Sequence, residues 1–219
     1  MITAIRDLGE WILIREKKEP LDILIEPIDP ERYRYAVVIV VTGDSWKVEL
    51  EEFDKASSRK YLYRFGSPRG LNYSPTAMIT EIDKTYQNKC LAWFQKVLRD
   101  KNIKANPEFD LLRQIADVLE RNKDDIVRAI ASLLNRVKDG CVLTLKIDGK
   151  YLFEIPIFID LFRKMIEEQA SKITAEQQTC SVCGHHVERV MAGSSAYKFY
   201  TIDKPGFIAG GFDERRSWR

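Results

Sequence analysis

At 219 residues, with 45% hydrophobic and 31% charged side chains, the chain has the composition of an ordinary globular protein and enough length for a core. No apolar run approaches the roughly 18 residues of a spanning helix, and the first residues lack the basic and apolar stretches of a secretory signal. The formal charge of +2 hides an asymmetry: residues 1–54 carry thirteen acids and seven bases, while residues 55–80 carry Lys55, Arg59, Lys60, Arg64 and Arg69 with no acid. Such a basic island is a candidate phosphate-binding surface, or simply a solvated loop.

In chain order, residues 2–18 read as an amphipathic helix with Ile5, Leu8, Trp11 and Ile12 inward. The stretch from Pro20 to Pro30 reads as a linker or extended edge. Tyr33 to Thr42 is rich in β-branched residues and predicts a strand, and Gly43-Asp44 a turn. Trp46 to Phe53 alternates apolar and polar residues, as an antiparallel partner with Trp46, Val48 and Leu50 on one face would. From Ser57 to Thr80, glycines, prolines, aromatics and arginines interleave, which reads as a short strand followed by an ordered loop. Alternation along that strand puts Leu62 opposite Tyr61 and Tyr63, so part of this set is expected in the core.

Helices are expected over 84–101, 107–121 and 124–138, the second with Asn106 as N-cap and Pro107 at its first position. Cys141 to Ile147, the turn Asp148-Gly149 and Lys150 to Phe153 form a hairpin pattern. Ile157 to Lys172 reads as a last helix, and Thr174 as the cap of a short turn. The fold class is therefore α+β: small antiparallel strands and hairpins and a helical middle segment, followed by a C-terminal partial zinc ribbon that Cys180-Ser-Val-Cys183-Gly184 marks. Residues 1–172 are expected to form an N-terminal domain and 173–219 the first half of a ribbon region.

Catalytic constellations are scarce. His185 and His186 are the only histidines, no phosphate-cradling glycine loop is present, and no carboxylate spacing marks an acid–base pair. The expectation is therefore no enzyme and no catalytic residue. Cys90 and Cys141 lie in a helix and a strand pattern and read as buried free thiols of a reducing cytoplasm. The strong chemical signal is Cys180-Ser-Val-Cys183-Gly184, a knuckle that offers two thiolates on one tight turn. A closed zinc site needs four ligands, and no second Cys-x-x-Cys follows in these residues. A redox pair is the competing reading, and His185 or His186 is open as a substitute ligand.

The knuckle, then Tyr197-Lys-Phe-Tyr-Thr-Ile-Asp-Lys-Pro-Gly-Phe207 and Trp218, resembles the zinc-ribbon region of the large subunit of type I-B CRISPR interference (Cascade) complexes. Lys60-Tyr-Leu-Tyr-Arg-Phe-Gly66 and Asn72-Tyr-Ser-Pro-Thr76 are similar to that family's N-terminal stretch. In that family a second cysteine pair follows the tryptophan. The resemblance thus implies the N-terminal portion of a longer subunit, with Cys180 and Cys183 holding zinc in the full-length protein and weakly or not at all here. It also implies a non-catalytic role: holding the 5′ end of a guide RNA, helping to read the DNA motif that flanks the target, and preparing the complex for a separate helicase-nuclease. Expected partners are guide RNA, target DNA, the other subunits and that helicase-nuclease, with no membrane. A metal-dependent nuclease and a zinc-containing interaction scaffold are the alternatives.

The loop would supply the contacts. Arg59, Lys60, Arg64 and Arg69 suit phosphates, Asn72 a base edge, and Tyr61, Tyr63 or Tyr73 stacking. The basic tail around Lys198, Lys204, Arg215 and Arg216 is the fallback surface.

Overall fold

The computed structural model describes residues 2–54, 57–67, 70–135, 137–171, 174–179 and 185–191. The backbone divides into two units, residues 18–164 and residues 1–17 with 165–219. Sequence reading placed the boundary after residue 172. Helix α1 (Ile2–Arg15) belongs to the second unit. On its expected inward face Leu8 is 57% and Trp11 53% exposed and Ile12 is half-buried, with the Arg15 guanidinium 4.8 Å above the Trp11 ring.

The larger unit is built on a five-stranded sheet. Strand β1 (Tyr33–Thr42) pairs with β2 (Ser45–Glu52) antiparallel, from Tyr35↔Glu52 to Thr42↔Ser45, across a tight turn in which Gly43 takes φ +54. A positive φ is easy for glycine and explains why the turn falls there. Every residue from Ala36 to Val41 is buried, so both faces of β1 are covered. A strand apolar on both faces suits a parallel neighbour, and β1 has one: β4 (Gly140–Ile147), in register from Tyr35↔Cys141 to Val41↔Ile147. This central parallel pair is the main departure from the hairpins that the sequence suggested.

The crossover between β1–β2 and β4 carries the helices. It begins with α2 (Ser57–Lys60), the two-residue strand β3 (Ala77–Met78) and α3 (Ile82–Thr85). A π-helical turn, Tyr86–Leu91, leads into α4 (Ala92–Arg99), so the expected helix over 84–101 exists with a bulge in its middle. Helices α5 (Phe109–Arg121) and α6 (Lys123–Leu134) follow. Asn106 does not cap a helix at Pro107. Its Oδ1 accepts from the Glu108 amide at 2.8 Å, a local turn that delays α5 to Phe109.

The sheet order is β2-β1-β4-β3, and β5 (Lys150–Tyr151) also pairs with β4. The β4–β5 turn has Asp148 at φ +47 and Gly149 at φ +79, the geometry that its Asp-Gly signal predicts. Helix α7 (Pro156–Ser171) brings Phe158 to stack on Trp93 at 5.6 Å, with Phe94 edge-on to both rings. Cys90 and Cys141 are buried free thiols, as expected.

In the other unit, β6 (Thr174–Thr179) and β7 (His186–Met191) form an antiparallel pair, so Thr174 opens a strand and not a turn. Cys180 and Cys183 fall between these strands in sequence. They and residues 192–219, which include Lys198, Lys204, Arg215 and Arg216, lie outside the described residues.

Candidate nucleic-acid interface

The basic loop begins at a capped turn. Asp54 Oδ1 accepts from both the amide and the hydroxyl of Ser57, at 2.8 and 2.7 Å, which starts α2. The chain then reverses at Leu62, whose φ is +50, instead of running on as a strand. Alternation therefore does not apply, and Tyr61, Leu62 and Tyr63 are all buried. The reversal is held by Thr76, whose hydroxyl donates to the Tyr61 carbonyl at 2.6 Å and shares a 2.9 Å hydrogen bond with Thr144 of β4.

Most side chains chosen from the sequence have partners inside the molecule. Tyr63 is 3% exposed, and burial pushes its phenol up to about 12, with Glu26 and Tyr33 adding to the shift. It is a core residue, not a stacking platform. Asn72 is 2% exposed, donates to the Thr76 carbonyl at 2.8 Å and accepts from the Gly66 amide at 3.2 Å, so it closes the loop rather than facing a base. Arg59 pairs with Asp22 at 3.0 Å and Glu19 at 3.2 Å and lies over Phe153. Lys60 is 3.6 Å from Glu51 and lies over the Tyr61 and Tyr151 rings. Arg64 donates to the Leu24 carbonyl at 2.8 Å and covers Tyr73, which packs edge-on against Phe162. Arg69 lies outside the described residues. The acidic first segment and the basic island thus meet in part at Arg59.

Glu51 gathers a second set. It accepts from Tyr151 at 2.9 Å and Tyr61 at 3.1 Å, and faces Lys60 and Lys146 at 3.6 and 3.7 Å. Burial first, then Glu51, raises both phenols above their ordinary value. Burial opposes the Lys146 ammonium, but Tyr151 and Glu51 outweigh it and hold its pKa up.

Next to the loop lies a cavity of about 840 Å³. The loop contributes Phe65, Gly70, Leu71 and Asn72 as one wall, Thr80 and the helical stretch after it contribute Lys84, Thr85, Asn88, Lys89 and Ala92 as the other, and Tyr33, Tyr63, Ala77 and Met78 complete the lining. Lys89 spans the two walls by donating to the carbonyls of Ser67, at 2.9 Å, and Gly70. Desolvation lowers its pKa from the ordinary lysine value. Sequence reading missed this helical face because it looked at the 84–101 pattern only for its apolar stripe. The i, i+4 spacing of Lys84 and Asn88, and of Thr85 and Lys89, was the available signal.

Residues 1–167 match the family described as CRISPR-associated protein TM1802 (cas_TM1802) N-terminal domain. The chain belongs to this CRISPR-associated family. Residues 177–219 match the TM1802 central domain, which includes the Cys180–Cys183 knuckle. No curated protein and no solved structure matches. The TM1802 N-terminal domain holds the loop, the Glu51 cluster and the cavity. Among its described residues no helix is long and apolar enough to cross a membrane.

Proposed function

We propose that this TM1802-family chain is the non-catalytic large subunit of a type I-B CRISPR RNA-guided surveillance complex, acting in the cytoplasm. It binds the 5′ end of the guide RNA, the target-flanking DNA motif, or both, and helps to recruit the helicase-nuclease. The observation that carries the reading is the family match over residues 1–167, which makes the chain CRISPR-associated. The aromatic and basic loop adds support. It is fixed by the Asn72 and Thr76 hydrogen bonds, so Arg64 and Tyr73 are held in one arrangement beside the cavity. In such complexes base pairing reads the target, and the protein reads backbone shape and a short motif. Cys180 and Cys183 supply two thiolates to a structural zinc in the full gene product.

The test is binding of RNA, single-stranded DNA and duplex DNA to the full gene product at several salt concentrations, with metal analysis of the same preparation. Affinity is expected to fall as salt rises, because each phosphate contact releases counterions. Zinc is expected to be present and to leave on Cys180→Ser. Cleavage that needs a divalent metal and dies on a point substitution would replace this reading by the nuclease. Zinc without any salt-sensitive nucleic-acid binding would replace it by the interaction scaffold.

A further inference from the structure

The cavity beside the loop has features that the binding of a nucleic-acid backbone does not require. Its lining is mostly apolar and carries two lysines and no carboxylate. Phe65 stands at it 44% exposed, and Thr80, Lys84 and Asn88 add polar groups from the other wall. Its volume of about 840 Å³ falls in the range of small-ligand sites, roughly 300–1,000 Å³. The two walls are already tied together by Lys89, and Gly66 lets the loop fold back on Leu71. The space is therefore preformed. Apolar surface, an exposed ring and a cationic lining without acids together suit a planar base that carries a phosphate.

We infer that this cavity takes one unpaired nucleotide of a single strand, its base against Phe65 and its phosphate toward Lys84. The inference rests on the nucleic-acid reading above and adds the form of the ligand. A paired base cannot enter, because its edge and faces are held in the duplex, whereas an extruded or single-stranded base offers both faces for stacking. Among the described residues Lys84 pairs with the exposed Glu81 alone, at 2.8 Å. A surface pair of that kind contributes little and yields readily to a phosphate.

The experiment uses the full chain and a labelled single strand, a duplex of the same sequence and adenosine monophosphate as probes. Variants are Phe65→Ala, Thr80→Trp, which narrows the mouth, and Lys84→Gln. All three positions are exposed, so the core is spared, and circular dichroism checks the fold. Phe65→Ala and Thr80→Trp are each expected to weaken single-strand binding about tenfold, within the range for loss of one stacked base. Duplex binding should be unchanged. Lys84→Gln is expected to lower the salt slope by about 0.7, the value for one phosphate of a single strand. If the intact chain binds single strands in a salt-dependent way and the Phe65 and Thr80 variants bind equally well, the cavity is not the site, while the proposed function stands. If no nucleic acid binds the intact chain, both fail. Adenosine monophosphate that saturates the cavity and is not displaced by any strand overturns the strand as ligand in favour of a free nucleotide.

Discussion

A methyl group on Gly66 would lie 1.9 Å from the carbonyl oxygen of Leu71. The obstacle is backbone, which cannot swing aside as a flexible side chain can. The Gly66 amide is also donated to Asn72 Oδ1. Gly66→Ala must therefore open the loop at both points, and a loss of about 1–3 kcal/mol is expected, as for other overpacked sites. Urea unfolding of the variant checks this, and an unshifted midpoint would show that the loop can rearrange without cost. The same residues show why site reading from sequence went only part of the way. An asparagine among arginines and tyrosines has the donors and acceptors that a base edge needs. Whether they are already used is decided by neighbours such as Gly66 and Thr76, against which the loop folds Asn72. Arg59 likewise looks like a phosphate ligand until Asp22 and Glu19, about forty residues earlier in the chain, arrive beside it.

At the scale of elements, local signals were legible where local chemistry decides. The β1–β2 and β4–β5 hairpins stand at the turns that glycine marks, and the helices lie close to their apolar periods. The parallel pairing of β1 with β4 was not legible, because roughly a hundred residues separate partners such as Val38 and Thr144. The clue was the unbroken apolar run of β1, which asks for cover on both faces. Elements are also tied by side chains that no periodicity shows. Glu51 of β2 joins Tyr61 after α2, Tyr151 of β5 and Lys146 of β4. Glu51→Gln keeps the shape and removes the charge that these donors share. Hydrogen bonds to a charged group contribute about 1.5–3 kcal/mol, so a loss near 2 kcal/mol is expected. Chemical denaturation measures it, and a variant as stable as the parent would mean that the cluster is solvated enough to contribute nothing.

For the molecule as a whole, the larger unit has an alkaline limit written into its core. Tyr61, Tyr63 and Tyr86 are buried, and burial is the main reason that each phenol sits above its ordinary 10.0. Burial also pushes the Cys90 thiol up to about 12 from 9.0. Each raised acid stays protonated in the fold while the unfolded chain gives up its proton. Its stabilisation is full below the unfolded value and is lost as pH rises toward the folded one. One such group loses about 1.4 kcal/mol per pH unit between its unfolded and folded values, so the four together lose about 5 kcal/mol per unit from pH 10 to about 12, where Tyr63 and Cys90 reach their folded values. A domain in the lower half of the usual range of about 5–15 kcal/mol therefore exhausts its stability within about two units above pH 10. Denaturant unfolding followed at pH 9, 10 and 11 should show this fall, with phenolate absorbance appearing in the same transition as loss of structure. Tyr86→Phe, which gives up one hydrogen bond to the Leu119 carbonyl, should be less stable at neutral pH but fall less steeply by one group's share. Phenolate that appears well before unfolding, or a stability flat to pH 11, would mean that these rings reach solvent without opening the core.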